Sequence, residues 1–179
     1  MILNKKALSV PVIILTTFLT ACAANNASVK TTTSPVDGKT RTAIRGSDFS
    51  LSWIYPVEGS SMLGMLIVGG NVVEKETASI IFSTSSNSGF QSAYFKADGE
   101  RIDLQATEAS TNFSSSQYGV EASKEFIIGC EKLNAVVQST DVYLRVTFRD
   151  GFTDYDVSKT KHSGADGFGM IKKIAQYCN

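Results

Sequence analysis

The chain has 179 residues, 42% of them hydrophobic, and its 17 basic and 17 acidic residues give a formal net charge of zero at pH 7. This length fits one ordinary domain with an N-terminal extension, and the apolar fraction is that of a globular protein with one core. Balanced charge without a long basic run argues against a nucleic-acid partner and a polybasic membrane-surface role.

The first 21 residues have the anatomy of a signal peptide. Lys5 and Lys6 precede an apolar run over residues 7–18, which is shorter than the about 20 residues that a membrane-spanning helix needs. Leu19-Thr20-Ala21-Cys22 follows and resembles the bacterial lipobox. The resemblance implies that residues 1–21 are removed and that Cys22 is acylated and becomes the first mature residue, which would attach the protein permanently to a membrane.

The residue after the lipobox bears on the destination. In Gram-negative lipoproteins an Asp directly after the lipidated cysteine commonly signals retention in the inner membrane, and Ala23 stands at that position. The resemblance therefore implies an outer-membrane lipoprotein, and we expect its domain to face the periplasm. Residues 22–46 contain no aromatic side chain. This composition predicts a lipidated, flexible tether with a span of about 25–30 Å, followed by a single globular domain over residues 47–179.

Two cysteines remain when Cys22 is assigned to the lipid. Cys130 and Cys178 form an even pair in an oxidising compartment, which predicts a disulfide bond between them. A redox motif or a metal site is the alternative, but neither cysteine belongs to a C-x-x-C motif or lies beside clustered histidines.

Alternating and continuous apolar runs predict several strands. Phe49 to Tyr55 alternates with period 2, and Met62 to Val68 is a nearly continuous apolar run that Gly69-Gly70-Asn71 is expected to end in a turn. Asp98-Gly99 predicts a type I′ hairpin that pairs Phe95 with Ile102 and sets Lys96 against Arg101, a like-charge pair; a longer, bulged loop is the alternative.

The C-terminal third predicts a second hairpin and two helices. Asp150-Gly151 as a two-residue turn would pair Arg145 with Asp156 and Thr147 with Asp154. Helical spacing over Cys130 to Val137 and Phe168 to Cys178 predicts a short helix and a closing helix. The expected fold class is α+β or mainly β: an antiparallel sheet or modified sandwich with one or two short helices, its C-terminal helix tied by the disulfide.

Residues that suggest chemistry are few. Ser158-Lys159-Thr160-Lys161 matches the S-x-x-K motif, but no S-D-N or K-T-G accompanies it. His162 is the single histidine and would have to be the base of any Ser/His pair. Asp150, Asp154 and Asp156 offer calcium ligands, although the hairpin register explains two of them. We therefore expect no catalytic residue, no metal and no cofactor.

Exposed aromatic residues are the remaining candidates for a binding surface, and the set comprises Trp53, Tyr55, Phe90, Tyr94 and Tyr118. The sequence favours a non-enzymatic binding domain with an accessory, inhibitory or immunity role, whose partner is another envelope protein or peptidoglycan. An envelope hydrolase using Ser158 or another serine with His162 is one alternative. A small-ligand carrier, which would need a deep apolar pocket, is the other.

Overall fold

The computed structural model describes residues 27–46, 53–58, 65–116, 119–158 and 167–178. Within these ranges the chain forms eleven strands and two helices. The strands are β1 (Ala27–Thr33), β2 (Thr40–Gly46), β3 (Trp53–Ile54), β4 (Leu66–Val73), β5 (Thr77–Ser85), β6 (Phe90–Ala97), β7 (Glu100–Ala106), β8 (Asn112–Ser116), β9 (Gly119–Gly129), β10 (Val142–Phe148) and β11 (Gly151–Asp156). The helices are α1 (Cys130–Gln138) and α2 (Gly167–Gln176).

All the described strands belong to one antiparallel sheet. Its order is β1-β2-β4-β5-β9-β7-β6-β10-β11, with β3 on β4 and β8 on β9. The last strand returns towards the short segment after β3, because the Val57 N–H donates to the Asp154 carbonyl at 2.7 Å and Pro56 forms a bridge with Tyr155. The sheet therefore curves around a single core, and the predicted antiparallel fold class is confirmed.

The inward face of the curved sheet and both helices form the core. Alternate residues of β4, β9 and β10 are buried, as period-2 patterning requires, and α2 packs against β4. Among the described residues, no helix has the length and apolarity needed to cross a bilayer. The largest fully buried side chains are Tyr155, Phe82, Phe95, Phe126, Ile44, Ile54, Leu66, Ile80, Leu133, Leu144, Ile171 and Ile174.

The predicted disulfide is present. Cys130 opens α1 and Cys178 follows the end of α2, with an S–S distance of 2.11 Å. The expected short helix and closing helix are both confirmed, and the bridge ties them to each other. Helix α2 is therefore attached to the sheet by its buried face, and its C-terminal end is covalently attached to the first residue of α1.

The predicted turn at Gly69-Gly70-Asn71 is wrong, because β4 runs through all three residues. A Cβ on Gly70 would lie 2.5 Å from Ile174 Cδ1 and 2.5 Å from the Ser79 carbonyl oxygen, so this glycine admits the close approach of α2 and β5. The chain instead turns at Glu74 and Lys75, both with positive φ (49° and 60°). Since neither residue is Gly, Asn or Asp, no sequence signal marked this turn.

The N-terminal segment also differs from the expected tether. Residues 27–33 and 40–46 form the antiparallel hairpin β1–β2, and β2 continues the sheet by pairing with β4. Ile44, opposite Gly70, is fully buried. The ordered sheet therefore includes residues that were assigned to a flexible tether, while Cys22 to Asn26 lie outside the described residues.

The β6–β7 hairpin agrees with its prediction. Asp98 and Gly99 have φ values of 47° and 91°, as a type I′ turn requires, and Phe95 pairs with Ile102. Lys96 stands opposite Arg101. The bulged alternative is not adopted, so the unfavourable like-charge pair is a feature of the folded sheet.

The Asp98 carboxylate makes this turn sensitive to acid. It accepts the backbone N–H groups of Asp141 (2.8 Å) and Thr140 (3.1 and 3.3 Å), and these hydrogen bonds hold the pKa of Asp98 below its ordinary value. A depressed pKa in the folded state gives stability that is fully present above the unfolded pKa of about 3.9 and is lost as the pH falls through the folded pKa.

We therefore expect Asp98→Asn to flatten the dependence of the unfolding free energy on pH below about pH 4, because the amide cannot be protonated there. Asparagine tolerates the left-handed conformation, which limits strain at φ 47°. Urea titrations between pH 2.5 and 6 measure the slope. Equal slopes for the wild type and the variant would contradict a contribution from Asp98.

The last hairpin has the predicted faces but a different register. Val142, Leu144, Val146 and Phe148 face inward, as do Thr153, Tyr155 and Val157, which confirms the core face. The predicted pairs are wrong, because Arg145 stands opposite Asp154 and Thr147 opposite Phe152. The turn residues are Arg149 and Asp150, neither with positive φ, so the primed Asp-Gly turn is not formed and the pairing shifts by two residues.

Candidate functional site

A groove of about 320 Å³ lies on the outer face of the sheet where β6, β10 and β11 adjoin. Ala93, Phe95 and Leu144 of these strands point into the core, so the alternating residues point outward and form the floor of the groove. We call this feature the outer groove; it is lined by Val57, Tyr94, Lys96, Tyr143, Arg145 and Asp154.

Strand register arranges the residues of the outer groove in two rows. Each row crosses β7, β6, β10 and β11, and its members stand directly opposite one another. The first row is Arg101, Lys96, Tyr143 and Asp156; the second row is Asp103, Tyr94, Arg145 and Asp154. Directly opposite side chains in antiparallel strands have Cβ atoms about 4.5–5.5 Å apart, which brings aromatic and charged groups into contact.

The Arg145–Asp154 ion pair is the best-defined contact in the outer groove. Arg145 Nε and Nη2 donate to Asp154 Oδ1 and Oδ2, both at 2.6 Å, and the guanidinium lies 4.1 Å from the Phe152 ring centroid. The hydrogen bond to Asp154 raises the pKa of Arg145, and a hydrogen bond with Tyr94 adds to it. A bidentate, stacked arginine of this kind is held in one geometry before any ligand arrives.

Tyr94 is fixed by a second arginine. The Arg101 guanidinium lies 4.0 Å from the Tyr94 ring centroid and donates to Asp103 Oδ1 through Nε (2.8 Å) and Nη2 (2.6 Å). The hydrogen bond to Asp103 raises the pKa of Arg101. Tyr94 thus contacts a charge-compensated arginine on each neighbouring strand, which positions its ring at the floor of the groove.

Lys96 differs from these neighbours in having no counterion. Within the described ranges its ammonium makes no ion pair and no side-chain hydrogen bond, and the side chain is exposed. It stands opposite Arg101 on one side and Tyr143 on the other. Like charges directly opposite in a sheet destabilise it. Among the described residues that line the outer groove, Arg145 is therefore charge-compensated and Lys96 is not.

The predicted Ser/His pair is only partly described by the structure. Ser158 lies in the turn after β11, where its hydroxyl donates to Asp156 Oδ1 and accepts the Val142 N–H, each at 3.2 Å. These contacts tie the end of β11 to the start of β10. Lys159 to His162 and the lipobox cysteine Cys22 lie outside the described residues, so their predicted roles stay predictions.

The three aspartates considered for calcium are not gathered into a site. Asp154 binds Arg145 and Asp156 accepts the Ser158 hydroxyl, while Asp150 lies exposed in the turn. In the part of the chain that the structure describes, no group of three or more His, Cys, Asp or Glu side chains could hold a metal ion.

Of the three aromatic candidates whose side chains the structure describes, one lies in the outer groove. Tyr94 lines it, whereas Phe90 is buried against Phe148 with ring centroids 4.8 Å apart and belongs to the core. Tyr55 is half-buried, and the Trp53 side chain and Tyr118 are not described. Sequence reasoning did not identify Tyr143 or Lys96 as candidates for a binding surface, although the like-charge pair of Lys96 with Arg101 was a visible signal.

Lys124 is a buried cation that the sequence did not predict. It lies on the inward face of β9, is 4% exposed, and its ammonium donates to the carbonyls of Phe90 (3.2 Å) and Ala109 (3.1 Å). These bonds join the start of β6 to the segment before β8. Because buried charges require such partners, we interpret Lys124 as a structural clamp.

A second outer depression, of about 290 Å³, lies over β2, β4, β5 and β9. Its charged side chains are engaged: Glu125 accepts a hydrogen bond from Asn71 Nδ2 at 3.2 Å, and Arg41 pairs with Asp37. The described residues that line this depression include no aromatic side chain, whereas Tyr94 and Tyr143 line the outer groove, so the outer groove is the stronger candidate for binding.

Comparison of the chain with protein-family models, curated protein sequences and solved structures gives no significant match. The outer groove is therefore identified by its geometry alone.

Proposed function

We propose that this protein is an outer-membrane lipoprotein whose domain binds a component of the cell envelope through the outer groove. One observation carries the proposal: Tyr94, Arg145 and Asp154 are locked to each other and to their neighbours around an open depression. Side chains held in place before binding lose little entropy on association, which is what a recognition site requires.

The size of the outer groove favours a small repeating unit as its ligand. A volume of about 320 Å³ is at the lower end of the range for small-ligand sites. A standard protein–protein interface buries about 800 Å² on each partner, much more than six lining residues supply. Of the two predicted partners, peptidoglycan therefore fits this groove better than an envelope protein, and the domain has an accessory role at the wall.

The two alternative functions lack a comparable observation. A carrier would need space on the inward face, but there Ile174 packs directly over Gly70 and both are buried. For a hydrolase, Ser158 is one candidate nucleophile and its hydroxyl links Asp156 to the Val142 N–H, while His162, the required base, lies outside the described residues. Neither feature favours a second candidate.

Sedimentation with purified peptidoglycan sacculi tests the proposal. The soluble Cys22→Ser protein is expected to co-sediment with sacculi. Tyr94→Ser and Tyr143→Ser are expected to weaken binding about tenfold or more, because each removes an aromatic ring that lines the groove and aromatic side chains often contribute most of the binding free energy at a contact surface.

Phe113→Ser provides the matched control. Phe113 is an aromatic residue on β8 with 53% of its surface exposed, and it does not line the outer groove. Sacculus binding that is equally strong in the wild type, both tyrosine variants and the control would contradict the role of the groove. Unchanged thermal unfolding of the variants is needed to assign any loss to binding.

A further inference from the structure

We infer that the outer groove selects an N-acetylated amino sugar that carries a carboxylate, and that Lys96 binds this carboxylate. The inference rests on the proposed function and adds the chemical class of the ligand. It assigns a specificity-determining role to a residue whose folded environment is otherwise unfavourable.

Among the described cations around the outer groove, Lys96 has no counterion. Arg145 is paired with Asp154, and Arg101 is paired with Asp103, so each arginine is already neutralised. Lys96 has no such partner among the described residues and faces Arg101 across the β6–β7 hairpin. Side chains whose placement goes against local structural preferences often lie at functional sites. A bound anion would supply the counterion that Lys96 lacks among the described residues.

A carboxylate suits this arrangement better than a phosphate. Phosphate recognition usually employs arginine forks that are free to donate two parallel hydrogen bonds. Both arginines here already use their forks on aspartates. A single flexible ammonium with three donors is sufficient for one carboxylate and leaves the rest of the ligand to the neighbouring groups.

The neighbours of Lys96 suit a sugar ring. Tyr143 stands directly opposite Lys96, and Tyr94 lies two residues along the same strand, about 7 Å away. Their rings supply apolar faces, and their hydroxyls supply polar edges. Arg145 and Asp154 add donors and acceptors that match adjacent hydroxyl and acetamido groups. A ring on the tyrosines would bring an acidic substituent within reach of Lys96.

Two sugars that differ only in the acidic substituent provide the test. N-acetylmuramic acid and N-acetylglucosamine share the ring and the acetamido group, and only the former carries a lactyl carboxylate. Titration of the soluble Cys22→Ser protein, followed by NMR chemical shifts, is expected to give about tenfold tighter binding of N-acetylmuramic acid. The preference is expected to decrease as salt concentration rises, since the ion pair is partly exposed.

The carboxylate has two sources in the wall: the sugar itself or the peptide attached to it. Muramyl dipeptide separates them, because its lactyl group is an amide and its free carboxylate belongs to the peptide. Tighter binding of the dipeptide than of N-acetylmuramic acid would place the recognised carboxylate in the peptide, and the reverse order would place it on the sugar. The first order would overturn the assignment of the carboxylate to the sugar, and the second would support it.

Three variants at lysines make the test specific. Lys96→Gln is expected to abolish the preference while leaving the affinity for N-acetylglucosamine unchanged, and Lys96→Arg is expected to retain it. Lys132→Gln, at an exposed lysine of α1, is the control and is expected to behave as the wild type.

Two further results would overturn the inference: equal affinities of the wild type for the two sugars, or a preference that survives in Lys96→Gln. Neither result would contradict the proposed function, which is tested separately by sacculus sedimentation with the tyrosine variants. Loss of sugar binding with retained, tyrosine-dependent sacculus binding would likewise reject the assigned ligand class and leave the groove as the binding site.

Discussion

Replacing both bridged cysteines in Cys130→Ala/Cys178→Ala is expected to lower the unfolding free energy by about 4 kcal/mol. The bridge closes a loop with a sequence separation of 48 residues, and opening it restores conformational freedom to the unfolded chain. A loss of this size is a large part of the stability of an ordinary domain. Equilibrium unfolding in urea measures it.

The experiment is made in the Cys22→Ser background, so that no other thiol can exchange with the bridge. Replacing both cysteines avoids leaving one buried thiol, and the reduced protein with both cysteines intact is the matched control. The reduced protein and the double variant should unfold at similar urea concentrations. A difference of less than about 1 kcal/mol between the oxidised protein and the double variant would contradict the expected stabilisation.

Adding one methyl group in Gly70→Ala is expected to destabilise the domain by about 3 kcal/mol. The new Cβ would meet Ile174 Cδ1 and the Ser79 carbonyl oxygen, each at 2.5 Å. The isoleucine side chain can move, but the carbonyl belongs to the β4–β5 pairing and cannot withdraw without breaking it. Urea unfolding of the variant gives the free-energy change.

Gly69→Ala is the neighbouring control. A Cβ at Gly69 would lie 3.7 Å from the Ile44 carbonyl oxygen, which is an ordinary contact, so we expect a change below about 1 kcal/mol. Combining Gly70→Ala with Ile174→Val should recover little, because the clash with the Ser79 carbonyl persists. Equal stability of the two glycine variants would show that α2 does not approach β4 as closely as described.

Local patterns predicted the parts of the fold that depend on local physics. Period-2 burial identified the core faces of β6, β10 and β11, and Asp98-Gly99 identified the turn between β6 and β7 with its register. Helical spacing identified α1 and α2, and cysteine parity identified their bridge. Each signal lies within a few residues of the feature that it predicts.

The failures have a common physical origin in tertiary contacts. Gly69-Gly70-Asn71 has the composition of a turn, but α2 and β5 approach Gly70 closely in the fold. The residues around Gly70 in the sequence do not indicate this approach. Residues 27–46 read as a tether because they contain little apolar surface. They are ordered because β2 pairs with β4 and β1 pairs with β2. Their threonines suit a strand once a partner strand is present.

The outer groove was beyond single-sequence reasoning for a related reason. Tyr94 and Arg145 become neighbours only through the β6–β10 pairing, which joins segments some 50 residues apart in the chain. The predicted register of the β10–β11 hairpin was also off by two residues, so Asp154 was assigned to Thr147. The sequence shows the polar residues, but it does not show that they lie together in one groove.

The β1–β2 hairpin would limit how far a lipid-anchored domain can stand from the bilayer. If Cys22 carries the acyl chains as proposed, only five Cα–Cα steps separate the anchor from the first strand residue, Ala27, and they span at most about 18 Å in any conformation. A long tether would let the domain explore a wide volume. Under the proposed lipidation, a short tether would confine the domain to a thin layer beside the membrane and restrict its rotation, so the outer groove would meet those wall strands that pass closest to the lipid surface.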